Sequence, residues 1–543
     1  MRSLRIAAAL TAFTAALSLV SCSLPFSGSS DSSEPSTAAE TTVDPLKSLP
    51  MYSSSGSITL DEVREDVKEM LSDLKVSGNS EKISADIDTL LYDYDVCTDI
   101  CAHNEMLYYL KFDDTDLEEE YDESYRTAYI AYQLITYAFA HCGKNDEYKH
   151  LAADHIPDEK IIENYAAPAL SLKRLERYSE VDFELLDECT DEYYEVYMDE
   201  DMDEDEKSLK CAELYLDLLS QYDPETFYDS YNRDYTPEKA IEICDIAYSK
   251  LDPVMDEVRR AFLADDHARE VINEPEEFDS PFDTISEYAG KLSPEIKKAA
   301  DYISRNELYC ITDDDCSYPG SFTIRYPLTD ESAIFLNSSG GMAMTNAIHE
   351  FGHYYASGFD KTSSYDIITN LDVAEIQSQG FEVIFMRFYD DIFGEMSNAM
   401  KLYRTFNMLD SVLSGFLVGK FEYTVLSQRD DMTPQDVVDC WDDIIGNYTD
   451  LPFYEITHIF EMPGYYVSYA VSALAAFDIW KDCLSDPDEG LEKYEKLARI
   501  PSNSNSTKFL ETLEKCGFSS VMTSEYIDSL AHELSEYARE QIN

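Results

Sequence analysis

The sequence predicts a mainly α-helical protein in two lobes, with a small β-hairpin or sheet set just before one central helix. Three observations lead there. Glycine and proline are sparse, 18 and 19 in 543 residues, so few positions interrupt helical periodicity. Leu, Ala, Glu, Lys and Tyr fill long stretches with apolar residues at helical spacing. The chain beyond residue 46, about 500 residues, also exceeds the usual size of a single hydrophobic core. The expected division is a helical N-terminal lobe over residues 47–252 and a second lobe over 253–543, with the boundary near Pro253 to Pro281.

The chain opens with a basic Met1–Arg5 and an apolar Ile6–Val20. The apolar run is shorter than the ~20 residues of a membrane span, so residues 1–21 read as an export signal. Leu19-Val20-Ser21-Cys22 resembles the processing site of a bacterial lipoprotein. That resemblance implies lipidation at Cys22 and an extracytoplasmic chain held at the cell membrane by its lipid anchor. An uncleaved anchor or an ordinary secretory signal is the alternative, and both export the chain. Residues 22–46, rich in Ser, Thr and Pro, form a flexible tether that cannot bury a core.

Thr59 is a good N-cap, followed by Val63, Val67, Met70 and Leu71 on one helical face. Amphipathic runs continue through Tyr125–Phe139 and Leu209–Tyr222, with loops expected at Pro157, Pro224 and Pro253. The formal charge of −69 argues against a nucleic-acid partner, because phosphate binding depends on Lys and Arg. Acidic walls can steer cationic peptides, although a solvated acidic surface explains the charge as well. The acidic runs MDEDMDEDE and DDD lack the glycine and ligand spacing of a calcium loop. Of 12 cysteines, Cys97 with Cys101 and Cys310 with Cys316 are spaced to bridge in an oxidising compartment. Neither Cys101 near His103 nor Cys142 beside His141 sits in a recognisable nucleophile motif.

The segments SFTIRY and SAIFLN, within Ser317–Asn337, break the helical pattern with β-formers and read as two short antiparallel strands. Ser338-Ser339-Gly340-Gly341 then turns the chain into Met344–Asp360, MTNAIHEFGHYYASGFD. On a helix, His349 and His353 stand one above the other, as two ligands of a tetrahedral zinc must. Glu350, beside the first ligand, can take the proton of a water at the open position. A third ligand is expected downstream in LDVAEIQSQGFEVIF, which offers Glu375 and Glu382. Glu375 is the expected ligand, and Glu382, on the same helix face, the supporting carboxylate.

HEFGH followed by VAEIQSQGFE resembles the M3 peptidases, the thimet oligopeptidase and oligoendopeptidase F group. In that family the glutamate matching Glu375 is the third ligand, and one Zn²⁺ is held per chain. His458–Phe477, HIFEMPGYYVSYAVSALAAF, is similar to the family's His and multi-Tyr segment. Residues in Leu491–Asn543 resemble its C-terminal helices. The resemblance covers roughly Tyr318–Asn543. It implies a zincin-type metallopeptidase whose two lobes flank a deep channel admitting short, unfolded peptides. It further implies that His458, Tyr466 and Tyr469 stabilise the oxyanion, with Tyr465 as the alternative to Tyr466. It also implies that a strand before the metal helix, here Ala333, Ile334, Phe335 and Leu336, pairs with the substrate backbone. A zinc carboxypeptidase of the M32 kind and a non-catalytic peptide-binding lipoprotein are the competing readings. Intact Glu350 argues against the second, since a binding module has no use for a base beside a metal.

Overall fold

The computed structural model describes residues 19–20, 58–112, 114–156, 159–199, 202–273, 280–314, 316–318, 320–338 and 343–542. Cys22, the tether, most of the expected signal segment and the Ser339–Gly341 part of the turn lie outside these. Among the described residues no helix is long and apolar enough to cross a membrane.

The fold is mainly helical. Helices α1 (Leu60–Asp73), α2 (Ser80–Leu110), α3 (Thr115–Gly143) and α4 (Leu172–Tyr197) lead the chain. Thr59 opens α1 with a capping box, its hydroxyl accepting from the Glu62 amide while the Glu62 carboxylate accepts from the Thr59 amide. Val63, Val67 and Met70 then face inward against Leu90 and Leu134 in one hydrophobic cluster. A second cluster runs from Tyr193 to Ala538. It is built on α5 (Pro237–Ala264), α6 (Ala343–Ser357), α7 (Leu371–Phe385), α8 (Ser397–Gln428), α9 (Val467–Ser485) and α10 (Ser524–Ile542).

Pro253 does not mark a loop. It lies inside α5, where the buried neighbours Leu251 and Val254 hold the helix through a substitution that costs an isolated helix about 3 kcal/mol.

The sheet packs between α2 and α6, in the order β1-β3-β4-β2. Its strands are β1 (Leu19–Val20), β2 (Tyr309–Thr312), β3 (Phe322–Tyr326) and β4 (Glu331–Asn337). The expected hairpin is β3 with β4, antiparallel, with Thr323 opposite Ile334. The sequence reading missed β2, which adds in parallel to β4. The expected substrate edge on Ala333–Leu336 is therefore corrected: β4 is central, its backbone bonded to β2 on one side and β3 on the other. On the far side of β3, β1 (Leu19–Val20) pairs antiparallel with Phe322 and Thr323 and, among the described residues, leaves Ile324–Tyr326 of β3 without a strand beyond them.

Neither anticipated disulfide forms. Cys97 and Cys101 are buried thiols on successive turns of α2 within the α2–α3 packing, and Cys310 is a buried thiol on β2. Burial pushes the Cys142 thiol up to about 11 and takes the Cys101 thiol well above its usual range, which keeps both protonated and unreactive.

Candidate metal centre and its surroundings

Helix α6 carries His349, Glu350 and His353 on its buried side. The two imidazoles stand one helical turn apart, ring centroids 5.0 Å from each other. Helix α7, capped by Asn370 accepting from the Val373 amide, crosses α6 and delivers Glu375. Ligand atoms of His349, His353 and Glu375 all lie within 4.8 Å of one another, with Glu375 Oε2 3.8 Å from His349 Nε2.

Gly352 makes this crossing possible. A Cβ at this position would lie 2.7 Å from Ser378 Cα and 2.8 Å from the Gln377 carbonyl oxygen, so the second x of H-E-x-x-H must be glycine for α7 to approach. Gly352→Ala is expected to push the two helices apart and weaken metal binding by at least tenfold, measurable by chelator competition, since a ligand set is tolerant of only small displacements.

The donor set fits a metal. His349 Nε2 and both nitrogens of His353 are buried without a hydrogen-bond partner, and each such atom costs about 1–3 kcal/mol unless something binds it. Burial lowers the pKa of His349 and takes His353 well below the usual range, so both imidazoles are neutral, the form that ligates metals. His349 turns its Nδ1 to Glu382 Oε1 at 2.6 Å, and Arg404 of α8 pairs with the same carboxylate. This orients the ring and leaves Nε2 aimed at the cluster.

Glu350 is fully buried, and its two oxygens differ. Oε2 accepts from the Thr323 hydroxyl of β3 at 2.9 Å, while Oε1 has no partner. Burial pushes the carboxyl up to about 8; a dication beside it favours the carboxylate.

The third wall comes from the C-terminal part of the chain. Tyr465 donates to Glu375 Oε1 at 3.0 Å. Tyr469 packs edge-on to both Tyr465 and Tyr466, and its hydroxyl lies 3.5 Å from His458 Nε2. His458, Tyr465, Tyr466 and Tyr469 thus form one aromatic cluster, the tyrosines buried and His458 half-buried, joined to Glu375 through Tyr465.

This architecture is that of known peptidases. A Bacillus anthracis protein provisionally named oligoendopeptidase F superposes with a TM-score of 0.69 at 15% identity, over 89% of this chain and 97% of that one. The chain has the oligoendopeptidase F fold. PZ peptidase A with an inhibitor gives 0.63 at 15% identity over 90% and 99% of the two chains. Oligoendopeptidase-F from Enterococcus faecium gives 0.50 at 13% over 89% and 98%. No family model and no curated protein matches the sequence.

Within the oligoendopeptidase F fold, two supporting residues escaped the sequence reading, and Tyr465, expected there only as an alternative oxyanion donor, proves to be bonded to Glu375. Thr323 was visible only as a strand residue, and Arg404 stands in a helix without a motif. The bond from Tyr465 to Glu375 depends on how a turn is set, which spacing does not reveal.

Proposed function

We propose that the chain is a zinc-dependent endopeptidase that hydrolyses short, unfolded peptides outside the cytoplasm, anchored at the membrane through lipidated Cys22. One observation carries the catalytic reading. Ligand atoms of His349, His353 and Glu375 converge within 4.8 Å of one another, and Glu350, next to the first of them on α6, keeps a buried Oε1 without a hydrogen-bond partner.

His349, His353 and Glu375 would hold the ion, a His₂Glu set of the kind catalytic zinc sites use. Zinc supplies Lewis acidity toward a carbonyl and lowers the pKa of water to about 7. Glu350 then takes the proton of the attacking water through Oε1, held in place by Thr323, and returns it to the departing amine. Tyr469 and Tyr466 donate to the oxyanion as it develops, with His458 beside the Tyr469 hydroxyl. The substrate backbone pairs with the outer edge of β3, which carries Thr323 and therefore runs past Glu350. Leu19–Val20, which pairs with that edge in the full chain, belongs to the segment removed on processing at Cys22, so the edge is open to substrate in the processed protein. Main-chain pairing of this kind gives affinity with little side-chain selectivity.

Tyr469→Phe, or Tyr466→Phe, is expected to lower kcat by about 10²–10³ with unchanged metal content, as loss of one oxyanion donor does. The endopeptidase reading is tested by mass spectrometry of products from a peptide of about ten residues, offered with free and with blocked termini. Internal cleavage of both is expected. Trimming that stops when the C-terminus is blocked would make the chain a carboxypeptidase instead.

A further inference from the structure

The turn Met462–Gly464 joins the His458 helix to the helix that bears Tyr469, and side chains from elsewhere bind four of its backbone polar groups, beside the backbone bonds from the Met462 amide to His458 and from the Tyr465 amide to Met462. We propose that Tyr231, Arg233 and Glu422 are positioning residues of this site, which lock that turn and so set Tyr465, Tyr466 and Tyr469 against the His–His–Glu cluster. The catalytic half of the inference rests on the peptidase reading; the structural half does not.

Four backbone polar groups of the turn are each bound. The Tyr231 hydroxyl donates to the carbonyls of Met462 at 3.2 Å and Pro463 at 2.9 Å. The Gly464 amide donates to Glu422 Oε1 at 2.7 Å, and the Gly464 carbonyl accepts from Arg233 Nη1 at 2.8 Å. Gly464 has φ +89°, and a Cβ there would lie 2.8 Å from Phe227 and 3.2 Å from Tyr231. Only glycine fits there.

The same guanidinium reaches both helices that matter. Arg233 Nε donates to Asp372 at 3.2 Å, in the first turn of α7, three residues before Glu375. Nη2 donates to Ser468 Oγ at 2.7 Å, in the first turn of α9, next to Tyr469. Ser468 closes the triangle by donating to Asp372 at 2.6 Å, and Tyr235 donates to the other Asp372 oxygen at 2.8 Å. Tyr228 and Tyr231 lie against the guanidinium, ring centroids 4.4 and 4.5 Å away.

Arg233 is 0% and Asp372 1% exposed at the side chain. Ion pairs buried to that degree add little net stability, because desolvation offsets their attraction. What this one supplies is the relative setting of α7 and α9, hence of ligand Glu375 and donor Tyr465. Glu422 is fully buried as well, with burial pushing its carboxyl up to about 8. A neutral carboxyl and an amide share shape and acceptor oxygen, which provides a conservative variant.

The test uses the full-length protein with Tyr231→Phe, Glu422→Leu and Glu422→Gln, following three quantities: hydrogen exchange of the Tyr465, Ser468 and Tyr469 amides, zinc affinity by chelator competition, and kcat and KM on an end-blocked peptide. Tyr231→Phe and Glu422→Leu are expected to speed exchange of these amides by roughly two- to tenfold, the size of one hydrogen bond. They should lower kcat by roughly 10–10²-fold with KM and zinc affinity little changed, as displacement of a catalytic group does. Glu422→Gln should restore both exchange and kcat. Unchanged exchange in Tyr231→Phe, which removes a single oxygen and leaves the fold intact, overturns the proposal; so does a kcat loss in Glu422→Gln equal to that in Glu422→Leu. If the parent cleaves no peptide yet the turn loosens as stated, the peptidase reading fails and the cradle stands.

Discussion

Glu350→Gln is expected to lower kcat/KM by about 10²–10⁴, the range for loss of a positioned general base, while the protein keeps its full metal content. The amide oxygen of glutamine still accepts from Thr323 and the side chain has the same volume, so α6 stays packed against β3. What is lost is the ability of the atom at Oε1, unpartnered and buried, to take a proton. Because Glu350 is not among the three converging ligands, metal affinity and thermal stability should stay close to those of the parent. Steady-state kinetics beside metal analysis on the same samples checks this. A variant retaining activity within a few-fold would remove Glu350 from the reaction.

Glu375→Ala is expected to have the largest effect on metal binding and, with it, to abolish activity. Glu375 is wholly buried at the crossing of α6 and α7, and its second oxygen accepts from Tyr465. Removing it leaves two imidazoles, too few to hold a catalytic ion in fixed geometry, and takes away the carboxylate to which the Tyr465 hydroxyl donates. The parent should gain stability from zinc, about 2.7 kcal/mol at a hundredfold excess over Kd, seen as a rise of the thermal midpoint. The variant should show no such rise. An equal zinc-induced shift in both proteins would place the ion elsewhere.

The features legible in the sequence are those written locally. His349, Glu350 and His353 share one helical turn, Glu375 and Glu382 lie two turns apart on one helix, and Thr59 with Glu62 announces a helix start. Each is a matter of spacing within a single element. Features that depend on distant segments were not legible. Strand β2 pairs in parallel with β4 across a connection no local pattern encodes, and Arg404 and Arg233 reach the site from helices and turns remote in sequence. Pro253 within α5 shows tertiary packing overriding a local rule. The misplaced substrate strand did carry a usable signal. Ala333–Leu336 is an unbroken apolar run, as expected of a strand covered on both faces, and such strands are central rather than edge.

In the proposed mechanism His349, His353 and Glu375 hold the ion with which Glu350 hydrolyses internal peptide bonds. The most direct measurement is cleavage of an internally quenched, end-blocked peptide by the same preparation before metal removal, after it, and after return of one equivalent of zinc. Activity should vanish with the metal and return at one zinc per chain. A chain carrying one zinc that leaves the peptide intact would contradict the claim.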